Sequence, residues 1–122
     1  MTAALASEEE APHIAAIRRS VRAGFRFLHL RDPDSGAVEA IHAHRWTRQA
    51  VVETYTFRGI AEAVGARFRA EDYPNGNPLW ETNGTVAEVI TALLELPPHG
   101  SPAAPVLAGR ASSSLWLPAG VR

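Results

Sequence analysis

Glu53 interrupts a run whose same-face neighbours are Val51, Tyr55 and Phe57. A carboxylate among apolar side chains has its charged form disfavoured, which is how general acids and bases are poised near neutral pH. A simpler reading pairs Glu53 with an arginine on an adjacent strand, and Arg45, Arg48 and Arg67 are the candidates. His42-x-His44 is the second constellation. On a strand this spacing puts both imidazoles on one face, an arrangement that metals use. No Asp or Glu is placed to complete a metal site, so hydrogen-bonded or solvated histidines are the simpler account. No metal and no cofactor is therefore expected, and no residue is assigned a catalytic role.

The remaining candidates are binding residues. Arg18, Arg19, Arg22 and Arg26 lie close together and are suited to an acidic partner or a phosphate. Three of them also complement the C-terminal dipole of a helix. Trp46 stands between Arg45 and Thr47, where it packs on a sheet edge or offers a stacking surface. Leu115, Trp116 and Leu117 form an apolar knob before Pro118. Such a knob suits docking onto a partner, or folding back over the chain's own sheet.

Absences narrow the chemistry further. The chain has no cysteine, and all 12 of its basic residues are arginine. That removes thiolate nucleophiles, disulfides, thiolate metal sites, lysine Schiff bases and lysine-dependent phosphate loops. There is no Gly-x-Ser-x-Gly, and Ser35 sits in a turn with no histidine at hand. A net charge of −1 argues against general nucleic-acid binding. No apolar run approaches the roughly 20 residues of a membrane span. MTAALASEEE lacks the charged start and apolar centre of a secretion signal, so a cytoplasmic location is expected. The alanine-rich, lysine-free composition is what high-GC bacterial coding produces.

At 122 residues, one domain burying roughly two-thirds of its unfolded surface is the natural size. Residues 1–11 are small and acidic and read as a flexible start. Proline at position 12 then suits the first turn of a helix running to about Val21, with Ile14, Ile17 and Val21 on one face. Residues 24–30 alternate as a strand, Asp32-Pro33-Asp34-Ser35-Gly36 turns the chain, and residues 37–45 return. With Arg31 facing Ala37, Phe27 falls opposite Ile41, Phe25 opposite Ala43, and Arg26 opposite His42.

Residues 49–57 are rich in β-formers and read as a third strand. Residues 60–70 fit a strand or a helix; Gly65 costs about 1 kcal/mol inside a helix, and the strand is preferred. Leu79 and Trp80 add at most a short edge. Thr85-Val86-Ala87-Glu88 is a capping box, opening a helix to Leu96 with Val86, Val89, Ile90, Leu93 and Leu94 on one stripe. Pro97-Pro98 stops it, and residues 97–122 read as a Pro/Ala/Ser-rich tail.

The expectation is a single α+β domain over residues 12–96. It comprises an N-terminal helix, an antiparallel meander of three to four strands, and a capped C-terminal helix packed on one face. The function expected is a small non-catalytic protein–protein interaction or regulatory module, contacting another protein or a second copy of itself. The alternative is a small-molecule-binding protein or enzyme with a sheet–helix pocket using Glu53 and a histidine.

Overall fold

The structure, a computed structural model, describes residues 8–106. Proline occupies the first turn of α1 (Ala11–Arg22), where its missing N–H breaks no helical bond. Five strands follow as a simple meander: β1 (Arg26–Arg31), β2 (Val38–Trp46), β3 (Val51–Gly59), β4 (Glu62–Arg69) and β5 (Trp80–Gly84). Each pairs antiparallel with the next, giving one sheet in the order β1-β2-β3-β4-β5. Helix α2 (Val86–Glu95) closes the fold. The architecture is the expected α+β, with five strands rather than three to four. Both ambiguous segments, residues 60–70 and the Leu79–Trp80 edge, contribute strands.

Gly65 has a packing role in the first of these. A Cβ built there would lie 2.7 Å from Val89 Cγ1, so its absence lets α2 approach β4 closely. Helix α2 begins with Thr85 accepting from the Glu88 N–H at 3.1 Å and Glu88 reaching back to the Thr85 N–H at 2.9 Å. A third terminal N–H, that of Ala87, donates to His13 Nδ1 of α1 at 3.1 Å. Val86, Val89, Ile90 and Leu93 are buried as the stripe requires, with Leu94 partly buried beside them.

The core under the helices combines that stripe with Ala43, Tyr55 and Ala63 from the sheet and with Phe25, just before β1. Helix α1 enters it differently from the expected Ile14, Ile17 and Val21 face. Its buried residues are Ala16 and Ser20, Ile17 is partly covered, and Val21 is 53% exposed. Small residues let α1 sit close enough for Ser20 Oγ to meet the Tyr55 hydroxyl at 2.7 Å. Ser20 Oγ donates its proton to the Ile17 carbonyl, so Tyr55 is the donor to Ser20.

The β1–β2 register also differs from expectation, by two residues. Phe27 faces Ala43, Leu28 faces His42, and Arg26 faces His44. A shift of two preserves the face of every side chain. Its origin is the connection: Asp32 Oδ1 accepts from the N–H groups of Asp34 and Ser35, the Asp32 N–H donates to the Ala37 carbonyl, and the ladder is irregular at Leu30/Arg31.

After α2 the described chain runs on in turns. The Pro97 and Val106 carbonyls accept from Arg67 at 2.8 Å and Arg69 at 2.9 Å, and Ala104 is buried. No helix among the described residues is long and apolar enough to cross a membrane.

Candidate functional site

Two polar clusters occupy opposite faces of the sheet. The first is on the helix side, at the end of the sheet beyond the C-terminus of α2. Strand register places Arg45, Glu53 and Arg67 directly abreast on β2, β3 and β4. Arg45 Nε and Nη2 donate to Glu53 Oε1, and Arg67 Nε and Nη2 donate to Oε2 at 3.0 and 2.6 Å. A carboxylate has about four lone-pair sites, and four N–H groups fill them. Of the three arginines proposed as partners for Glu53, Arg45 and Arg67 reach it and Arg48 does not.

The same guanidiniums are tied elsewhere. Arg45 Nη1 donates to the Ala23 carbonyl at 2.8 Å, and its Cζ lies 4.8 Å from the centre of the Phe25 ring. Arg67 donates to Pro97 and is 2% exposed, as is Glu53. The cluster floors a cleft of about 410 Å³ walled by the β2–β3 turn and the start of the chain after α2. Arg48 and His99 also line it. His99 Nδ1 is buried without a hydrogen-bond partner.

The second cluster lies on the helix-free face. His42 and His44 do share a face, with rings stacked 6.0 Å apart. His42 is fully buried, its Nδ1 2.8 Å from Thr56 Oγ1 and its Nε2 2.8 Å from the Tyr73 hydroxyl. A neutral imidazole has one donor and one acceptor nitrogen, so one of these hydroxyls donates and the other accepts. Burial, then the neighbouring His44, lowers the His42 pKa to about 4. His44 is also lowered, by burial and then by Arg26 across the ladder. Burial raises Tyr73 to about 12. His44 Nδ1 and Thr54 Oγ1, from residues that face each other in the ladder, are buried without partners. Among the described residues, no group of three or more His, Asp or Glu is placed to hold a metal ion.

The predicted binding residues are dispersed. Arg18, Arg19 and Arg22 lie on α1 and are exposed, with Arg19 Nη2 donating to Thr91 Oγ1 of α2 at 3.1 Å. Arg26 is on the other side of the sheet, beside His44, so the four do not form one basic patch. Trp46 is 52% exposed and sits edge-on to Tyr73 at 5.7 Å on the helix-free face. Leu115, Trp116 and Leu117 lie outside the described residues.

Sequence reasoning missed Tyr73 and His99. Tyr73 reaches His42 from a loop 31 residues away, and His99 meets Glu53's surroundings from beyond α2. Neither has a local signal in the sequence. Compared with known proteins, the chain matches no protein-family model, no curated protein and no solved structure.

Proposed function

We propose that this protein is a small non-catalytic interaction module that works by protein–protein contact through the helix-free side of β1 and β2. One observation carries the reading. Leu28 of β1, an outer strand of the sheet among the described residues, is 43% exposed on that face, and Trp46 at the end of β2 is 52% exposed. Large apolar side chains left in water next to an outer strand suit a partner that covers both. Val38, 45% exposed at the hairpin end of β2, is a third exposed apolar side chain, and Arg26 and His44 lie between Leu28 and Trp46. Exposed tryptophan is the side chain most enriched where binding energy concentrates.

Chemistry on the other face supports the same reading. Every lone-pair site of Glu53 is engaged by a guanidinium, which leaves no oxygen to accept a proton from a substrate. The separation of Arg26 from the α1 arginines weakens the case for a phosphate-gripping surface.

The partner is a second copy of the chain or another protein, and two measurements separate these. Sedimentation equilibrium over a wide concentration range reads self-association, which Leu28→Arg and Trp46→Arg should abolish. If the wild type stays monomeric throughout, the second-copy form is wrong. Affinity capture from the native host, with wild type and both variants as baits, then tests the heterologous form. Proteins held by the wild type and lost by both variants support it. Identical capture by all three baits overturns the interaction surface.

A further inference from the structure

The cleft around Glu53 has a charge balance that its internal pairing does not close. Three guanidiniums line it, from Arg45, Arg48 and Arg67, against the single carboxylate of Glu53. Glu53 is shared between Arg45 and Arg67, and Arg48 takes part in no hydrogen bond or ion pair among the described residues. One positive charge is therefore left over on the Arg45–Glu53–Arg67 row, partly screened from water, and the exposed Arg48 adds a second at the rim, so the cleft attracts a counter-charge.

His99 supplies the second, independent observation. It lines the same cleft, and its Nδ1 is shut away from solvent without a partner. A buried ring nitrogen without a hydrogen bond costs free energy, and a turn of the partly exposed His99 ring toward the cleft would let a ligand oxygen recover it. The nitrogen can donate to an oxygen acceptor, and a guanidinium presents paired donors to the oxygens of a carboxylate or phosphate. The volume, about 410 Å³, lies within the range of small-molecule sites.

We propose that this cleft binds a small oxyanion, the carboxylate or phosphate group of an organic acid, held directly by Arg48 and His99. Arg45 and Arg67 contribute fixed positive charge from the floor, with Glu53 holding them in place and making no contact with the ligand. Trp46 borders both this cleft and the helix-free interaction surface, but the two ligand-holding residues, Arg48 and His99, are not part of that surface and the proposal does not depend on it.

The test is a titration of the ¹⁵N-labelled full chain followed by NMR, with sodium phosphate and sodium acetate as separate probes and sodium chloride at matched ionic strength as reference. Saturable shifts at Thr47, Arg48, Gln49 and His99 are expected for at least one oxyanion. Arg48→Ala and His99→Ala should each weaken that binding about tenfold or more, the loss carried by one charge-assisted hydrogen bond. Both side chains are at least partly accessible, so neither variant should unfold the protein. Saturation by phosphate alone or acetate alone assigns the headgroup, and saturation by both supports the shared chemistry. Shifts that rise linearly, match chloride, or persist unchanged in both variants would overturn the proposal.

Discussion

Glu53 and Arg67 face each other across the β3–β4 ladder, both 2% exposed, with two guanidinium N–H groups on one carboxylate oxygen. Removing one partner of such a pair leaves the other as an uncompensated buried charge. Glu53→Gln and Arg67→Ala should therefore each cost about 3–5 kcal/mol in urea unfolding. Arg45→Ala should cost less, because the Arg45 side chain is 27% exposed and water can replace the lost partner. Replacing all three by Met or Leu should recover most of the loss, since the desolvation cost disappears along with the attraction. A cluster that ligand binding alone required would behave otherwise: Glu53→Gln would then leave stability unchanged.

The histidine pair predicts a loss of stability on acidification. His42 is neutral in the fold, with its pKa depressed from 6.5 to about 4, so the unfolded chain takes up a proton there first as pH falls. The associated stability is fully present above pH 6.5. It is lost progressively down to about pH 4, a total of about 3 kcal/mol from this one residue. His44 shifts in the same direction and adds to the slope. Urea unfolding at a series of pH values between 7 and 4 measures it. His42→Gln should flatten the profile in that window. An equally steep profile in the variant would place the titration elsewhere.

How much of this was legible in the sequence depends on how local the signal was. Thr85 and Glu88 announce α2 because both halves of the capping box lie within one turn of chain. The pairing of Glu53 with an arginine was readable from the cost of isolating a carboxylate among apolar residues. Which arginines it meets depended on register, and register depended on turn geometry. The β1–β2 pairing shows the limit: alternation keeps Phe25 and Phe27 on the core face, yet it is blind to a shift of two, which the Asp32 turn and the irregularity at Leu30/Arg31 introduce. Tyr73 on His42 and His99 beside the Arg45–Glu53–Arg67 row are tertiary meetings between loops and strands. No periodicity encodes them.

Gly65 reads in isolation as a weakness in a helix or a strand, and its role appears only where α2 crosses β4. Gly65→Ala should destabilise by about 1–3 kcal/mol, because the new methyl would start 2.7 Å from Val89 Cγ1. Adding Val89→Ala, which removes the clashing methyl, should relieve part of that cost and give a non-additive double-mutant cycle. Additive losses would indicate that the helix shifts away from the sheet to make room.

Ala50 ends the β2–β3 turn at φ 61°, in the left-handed region that an L-residue with a Cβ adopts at a cost of about 1–2 kcal/mol. The backbone is held there by the Thr47 N–H donating to the Val51 carbonyl and the Ala70 N–H donating to the Ala50 carbonyl, at 2.9 Å each. Glycine has no such penalty but loses more conformational freedom on folding, about 0.5–1 kcal/mol. The difference predicts that Ala50→Gly stabilises the protein by up to about 1 kcal/mol, read as a higher urea midpoint at unchanged slope. Ala50→Val should do the opposite, since a β-branched side chain tolerates positive φ less well than alanine. The turn also walls the Arg48–His99 cleft, so the pair of variants separates two effects. Stability should change in both, whereas oxyanion binding should change only if relaxing Ala50 moves Arg48.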